Sequence, residues 1–441
     1  MLIQKVEKRW ETRPLDCWAK AKELRAKYLQ GEAEAEALGR ILTEGMDATT
    51  PAGIPLCQCT FSQPYGASVA VEGDDFSRQC RAVTEARGYG RDLCGYMLNQ
   101  FGGMFSNRGL GGNPFSPRKL VQGFGVCDAH NKHSQVVAEY FNAPHFYEER
   151  PRYYGDPDPE RDEARMNFLV RQKLRQIEWL EKGTGITFDD EAFIETAKSQ
   201  WRLEALRGEA LNYLHCIPAP VDQKSLYSIG ILGNVMRSAQ DETEQFWKMF
   251  RDELKWRTEN QIAALATERY RWVEQEPPPW TYLSYYRYME QYGAVCLHAY
   301  YHFIDWQEQP DGTFTRPLTP IDRGEPLDTR EDIVRAYVRE ECGASGSSGA
   351  LHGPVHEMYY NMIRKYFRHY RADGVFLALY RSGLGCSVNM REAAMMFSEA
   401  GIPVGHYETS HPGNLTDFDR NRLLDQLDTF MESQGLRKLE D

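Results

Sequence analysis

The stretch "GVFLALYRSGLGCSVNMREAAMMFSEAGIPVGHYE", residues 374–408, restricts the fold more than any other part of the chain. An apolar run rich in strand formers is followed by a glycine-marked loop, a helical segment and a second strand. Strands joined through a helix run parallel, because only a long crossover returns the chain to start in the same direction. Residues 119–150 repeat the order. "KLVQGFGVCDAH" gives a strand, "NKHSQVVAEYFNA" a helix and "HFYEER" the next strand. The expected fold is α/β, with two doubly wound parallel-sheet domains.

Around these units the chain reads as mostly helical. Residues 5–45 are rich in Ala, Glu, Lys and Leu. Two prolines and a glycine in "TTPAGIPLCQC" end that segment. Residues 76–88 read as a helix, and "PRYYGDPDPERDEA" as a polar linker. Residues 165–214 and 235–271 read as long helices. A second α/β unit starts at "RWVEQEPPPW", with "YLSYYRYMEQYG" as its helix and "AVCLHAYYHF" as its next strand. Three divisions are expected: an N-terminal helical extension over 1–50, a first α/β domain over 51–215, and a second with helical insertions over 216–441.

The 441 residues carry a formal net charge of -12, with a pI near 5.5 and a mean hydropathy of -0.61. That acidic balance argues against nucleic acid and anionic membranes as partners. No apolar run approaches the roughly 20 residues of a membrane span. The first residues, "MLIQKVEKRWETRPLD", lack the apolar segment of a secretory signal. The expected location is the cytoplasm, where disulfides are rare.

Ten cysteines are present: Cys17, Cys57, Cys59, Cys80, Cys94, Cys127, Cys216, Cys296, Cys342 and Cys386. None form a C-x-x-C, which excludes a zinc ribbon or a local ferredoxin-type motif. Cys127 and Cys386 occupy equivalent places, each after a strand and before a helix. That is the carboxyl edge of a parallel sheet, where open α/β sheets bind ligands. A thiol near a helix N-terminus is also more readily a thiolate, the form that ligates metal. Cys94, in "GYGRDLCGYMLNQFGG", stands at a glycine-flanked helical turn. Three thiolates from three loops suit an iron–sulfur cluster in a crevice. The same cysteines also read as buried small hydrophobes. A third reading is a metal-free nucleophile served by His130, His133 or His411.

The loop "GASGSSGALHGPVH", residues 343–356, reads as a phosphate cradle, a lid or a plain connector. No G-x-x-x-x-G-K-[ST] occurs, so hydrolysis of ATP through a P-loop is not expected of this chain. "GLGCSVN" falls short of a G-x-G-x-x-G. The 25 Tyr, 20 Phe and 9 Trp are expected mostly in the core or a subunit interface, with a few lining an aromatic pocket.

Four segments, in order, resemble the 2-hydroxyacyl-CoA dehydratase and benzoyl-CoA reductase family. They are "ARGYGRDLCGYMLNQFGG", "GFGVCDAHNKHSQVVAEYF", "PPPWTYLSYYRYMEQYGAVCL" and the C-terminal part from "DGVFLALYRSGLGCSVN" to "LLDQLDTFMES". Length, N-terminal extension and aromatic load look most like the B-type subunit of an ATP-dependent, class I benzoyl-CoA reductase. The resemblance implies two flavodoxin-like domains with helical additions. It implies a 4Fe–4S cluster held by Cys94, Cys127 and Cys386, with one iron position open. Its implied partners are a homologous sister subunit, ATPase activator subunits with their own iron–sulfur cluster, and ferredoxin as electron source. The implied substrate is an aromatic acyl-CoA, reduced in single-electron steps to a cyclic dienoyl-CoA. Within the family the alternative is removal of water from a 2-hydroxyacyl-CoA through a ketyl. A subunit that only relays electrons is a further alternative. The chain departs from the family pattern at Ser387, where an acidic residue is expected, and in the Cys57–Cys59 pair. Reduction also needs a proton donor, for which His130, His133, His352, His356 and tyrosines are candidates. The CoA phosphates need cations, and Arg108, Arg118 and Lys119 in "SNRGLGGNPFSPRK" are nearest in sequence to Cys94 and Cys127.

Overall fold

The computed structural model describes residues 9–45, 49–60, 63–66, 68–124, 128–151, 158–235, 240–275, 277–299, 301–343, 355–380, 389–410 and 419–439. Two four-stranded sheets organise them. The first holds β1 (Ile41–Glu44), β2 (Cys57–Thr60), β3 (Leu120–Phe124) and β4 (His145–Glu148) in the order β2-β1-β3-β4, all parallel. The second holds β5 (Tyr270–Gln275), β6 (Ala294–His298), β7 (Gly374–Tyr380) and β8 (Val404–Thr409) in the order β6-β5-β7-β8, also all parallel. The two orders are identical. Each reverses between its first and third strand, and a crevice at the carboxyl ends is where such sheets take ligands. The expected α/β class with parallel sheets is what the structure shows.

Three helical readings are corrected. The helix expected over residues 5–45 covers Trp18–Ala33, and Ile41–Glu44 is a strand in the interior of the first sheet. Four residues are too few for composition to reveal, and β1 is a strand because β2 and β3 pair with it on both sides. The helix expected over 235–271 is Gln240–Glu259; Gln261 then turns the chain at φ 57, and β5 opens at Tyr270. The helical stretch 165–214 is two helices, Pro159–Thr184 and Asp190–Asn212. Asp158 caps the first by accepting from the Arg161 amide at 3.2 Å, with Pro159 in the first turn. Gly185 ends it at φ 71, a conformation open to glycine.

Both faces of the second sheet are covered. Val273, Val375 and Leu377 join one core with Phe246, Trp247 and Tyr366. Trp272, Phe376 and Tyr407 join another with Tyr285, Tyr286 and Leu427. Alternate residues thus face opposite layers, and apolar demand on both sides explains the unbroken run "GVFLALY". In the first sheet Leu120 packs with Ile177 and Trp201, and its neighbour Val121 with Phe101 and Val137. Most rings are core: of the described aromatics only Tyr140 and Trp256 are largely exposed. No described helix is long and apolar enough to cross a membrane.

Candidate functional site

Cys94 is the N-cap of the helix Gly95–Phe105 and is half-buried. It packs at the meeting of two clusters, the aromatic layer on the second sheet and the core beside β3. Its helix is pressed against the helix Asp74–Ala86, where a Cβ at Gly102 would overlap the Cys80 backbone. Tyr96, in the first turn, reaches the other half of the molecule. Trp280 Nε1 donates to its hydroxyl at 2.5 Å and the Tyr301 hydroxyl donates to it at 2.9 Å. Tyr301 holds φ 80, a backbone strain that ordinary residues keep only where surroundings impose it.

Cys127 and Cys386 lie outside the described residues. The strands that precede them in sequence, β3 and β7, are the third strands of their sheets and flank the reversals. The remaining described cysteines are spread through the fold. Burial pushes the Cys57 and Cys80 thiols up to about 12 and raises Cys216 and Cys296. Cys17 also caps a helix, but burial and the neighbouring Glu253 carboxylate keep it a neutral thiol. Cys59 is buried in β2, its Sγ 3.6 Å from the Gly45 carbonyl oxygen. The Cys57–Cys59 pair is part of a strand ladder. Among the described residues no group of three His, Cys, Asp or Glu side chains converges.

At the carboxyl edge of the first sheet stands Glu44, the last residue of β1, only 2% exposed. Gln100 Nε2 donates to it at 2.7 Å and Arg118 Nε at 2.9 Å, and His133 Nε2 lies 3.1 Å away. Burial alone would raise the Glu44 pKa; His133 and Arg118 outweigh it and take the carboxyl down to about 2. Arg118 also donates to Glu32 at 2.7 Å. At the end of β4, buried Glu148 pairs with Lys173 at 2.7 Å and Arg150 at 3.0 Å.

The structure gives several residues singled out by sequence these surroundings. Arg118, expected as a CoA contact, is a buried cation that donates to Glu32, Glu44 and the Ser116 carbonyl. Lys119 is exposed, and its amide donates to the Leu42 carbonyl at 2.8 Å. It enters β3 at the amino end, opposite to the end that leads to residue 127. Arg108 is exposed, lies 5.2 Å over the Phe76 ring and donates to Gln79. Burial, with His133 beside it, holds the His130 imidazole down at about 3, so it is neutral at ordinary pH. His133 is committed to Glu44 and to Gln100 Oε1 at 2.8 Å, and stacks on Phe101. His356 is half-buried in the first turn of the helix Val355–His369. His352, His411 and residues 344–354 of the glycine-rich loop lie outside the described residues.

The second sheet's edge is of another kind. Glu274, next to last in β5 and 1% exposed, accepts from the Tyr285 hydroxyl at 2.5 Å and from the Tyr286 hydroxyl. Burial raises its carboxyl to about 7 although those phenols and Trp272 pull the other way. Gln275 ends β5 fully buried, and neither amide atom has a partner among the described residues. The same holds for His298 Nε2 at the end of β6 and Thr409 Oγ1 at the end of β8. Burial, with His302 nearby, keeps His298 well below the usual imidazole range. Sequence reasoning passed over Glu274 and Gln275. The available signal was "RWVEQEPPPW", where an otherwise apolar strand ends on consecutive polar residues before a proline run.

Two open parallel sheets with buried polar side chains at their carboxyl edges define an α/β protein. A family model described as 2-hydroxyglutaryl-CoA dehydratase, D-component, matches residues 68–433. The chain belongs to that family, whose members act on CoA thioesters. No curated protein matches it.

Proposed function

We propose that this chain is the iron–sulfur subunit, of the B type, of an ATP-dependent benzoyl-CoA reductase, with each sheet at the heart of a flavodoxin-like domain. The observation that carries the reading is Cys94 at a helix N-cap between the aromatic layer on the second sheet and the core beside β3. Cys94, Cys127 and Cys386 are the proposed holders of a 4Fe–4S cluster. Three soft thiol donors suit iron–sulfur chemistry, and the half-buried position of Cys94 at a helix N-terminus supports the reading. Such a cluster, when bound, supplies single electrons at low potential.

The chain's own residues supply the rest. Tyr96, Trp280 and Tyr301 surround the Cys94 turn with rings that exclude water and suit an aromatic acyl group. Glu274 holds a proton at its carboxyl near neutral pH, one residue from the strand end and within the same aromatic layer. Tyr285, bonded to Glu274 at 2.5 Å and 3.5 Å from the Tyr407 hydroxyl, extends that proton store along the sheet. A homologous sister subunit, ATPase activator subunits and ferredoxin complete the proposed complex in the cytoplasm. A second reading, a 2-hydroxyacyl-CoA dehydratase subunit, is favoured by the description of the matching family model. Counting electrons separates the two. The reductase consumes an electron pair per product, whereas the dehydratase recovers the electron it lends. Anaerobic turnover of benzoyl-CoA with stoichiometric consumption of reductant is expected. Turnover of a 2-hydroxyacyl-CoA with only catalytic reductant would replace the first reading by the second.

A further inference from the structure

Gln100 stands six residues after Cys94, and His133 stands six residues after Cys127. Each side chain leaves the second turn of the helix that its cysteine precedes, Gly95–Phe105 and Asp128–Phe141. Both turn to the same carboxylate. Gln100 Nε2 donates to Glu44 Oε1 at 2.7 Å, His133 Nε2 lies 3.1 Å from that oxygen, and Gln100 Oε1 meets His133 Nε2 at 2.8 Å. The triangle is closed, and all three residues are at most 5% exposed. Arg118 locks the carboxylate from the other side at 2.9 Å, and Glu32 locks Arg118 at 2.7 Å. Glu44 itself is rooted at the carboxyl end of β1, beside the reversal of the first sheet.

Six helical residues rise about 9 Å. Two helices joined at equal depth by one buried triangle therefore keep their N-terminal ends at a fixed separation. We propose that Glu44, through Gln100 and His133, is a positioning residue that sets the distance between the N-terminal ends of the helices Gly95–Phe105 and Asp128–Phe141, which Cys94 and Cys127 precede in sequence. This rests on the reading of those cysteines as cluster holders. It assigns to the triangle a task that packing alone does not require: apolar side chains of similar volume would fill the space, but would not tie two helices to one oxygen.

The test uses the full chain, reconstituted anaerobically with iron and sulfide, in wild-type, Glu44→Gln, Gln100→Leu and Cys94→Ser forms. Retention of iron against a chelator, the EPR line shape of the reduced protein and the thermal melt by circular dichroism are read for each. Gln100→Leu cuts the bridge between the helices without leaving a buried charge, so it decides the matter if Glu44→Gln does not fold. Expected is about tenfold weaker iron retention and an altered EPR line shape in Gln100→Leu, with native circular dichroism. A lowered melting temperature with wild-type iron retention and line shape would overturn the positioning role. Cys94→Ser separates the layers of the argument. Full iron retention in that variant sinks the ligand assignment, whereas loss of iron there with an unaffected Gln100→Leu sinks only the role of the triangle.

Discussion

The carboxyl edges of the two sheets share strand order but not chemistry. In the first sheet β1 and β4 end on Glu44 and Glu148, buried carboxylates each closed off by buried cations. In the second, β5, β6 and β8 end on Gln275, His298 and Thr409, buried and uncharged, with polar atoms that meet nothing among the described residues. A buried hydrogen-bonding atom without a partner costs about 1–3 kcal/mol. A fold keeps several at one edge most readily where a ligand completes them. Among the described residues the first edge is closed by the protein's own cations, whereas the second keeps polar atoms open.

The largest expected effect tests the closed edge. Arg118→Ala leaves buried Glu44 and half-buried Glu32 without their shared cation and should destabilise the chain by about 3–5 kcal/mol, measured by denaturant unfolding. A loss below about 1 kcal/mol would make the two edges alike. The next effect is the pH dependence, which should have opposite signs at the two edges. Glu44 has a folded pKa near 2 against an ordinary 4.5, so its contribution is present above 4.5 and lost as pH falls toward 2. Glu274 is raised from 4.5 to about 7, so its contribution is present below 4.5 and lost as pH rises through 7. Stability curves of Glu44→Gln and Glu274→Gln should flatten on the acid and on the neutral side respectively. The same flattening in both would erase the contrast. The smallest effect is expected from Gln275→Leu. Its amide meets no partner among the described residues, so stability should stay within about 1 kcal/mol while the KM for the acyl-CoA rises. A large loss of stability with an unchanged KM would place Gln275 with the structural residues.

The units "KLVQGFGVCDAHNKHSQVVAEYFNAPHFYEER" and "GVFLALYRSGLGCSVNMREAAMMFSEAGIPVGHYE" were legible because apolar runs, helical spacing and turn residues all act within some thirty residues of chain. They reappear as β3 and β4, and as β7 and β8. β1 and β2 were not legible. "ILTE" and "CQCT" are short, and only pairing with strands far along the chain makes them sheet. The candidate site was read through its cysteines because Cys127 and Cys386 each follow a strand and precede a helix, although the same residues also read as buried small hydrophobes. Glu44 was invisible for the opposite reason. In a segment rich in Glu it looks like a solvated helix face, and what buries it is Arg118, 74 residues away.

The order in which the strands are made has a consequence in time. All strands of the first sheet have been synthesised by Glu148, when most of the chain is still to come. The aromatic face of the second sheet begins with Trp272, Tyr285 and Tyr286, yet its cover includes Phe376 and Tyr407. At 5–20 residues per second the ribosome takes on the order of ten seconds to cross that gap. Throughout it the tyrosines and tryptophan that later shelter Glu274 lack Phe376 and Tyr407. A pause or truncation before β7 therefore leaves a large sticky surface on a chain whose first half can already be native, and chaperone capture is expected to concentrate on nascent chains of that length.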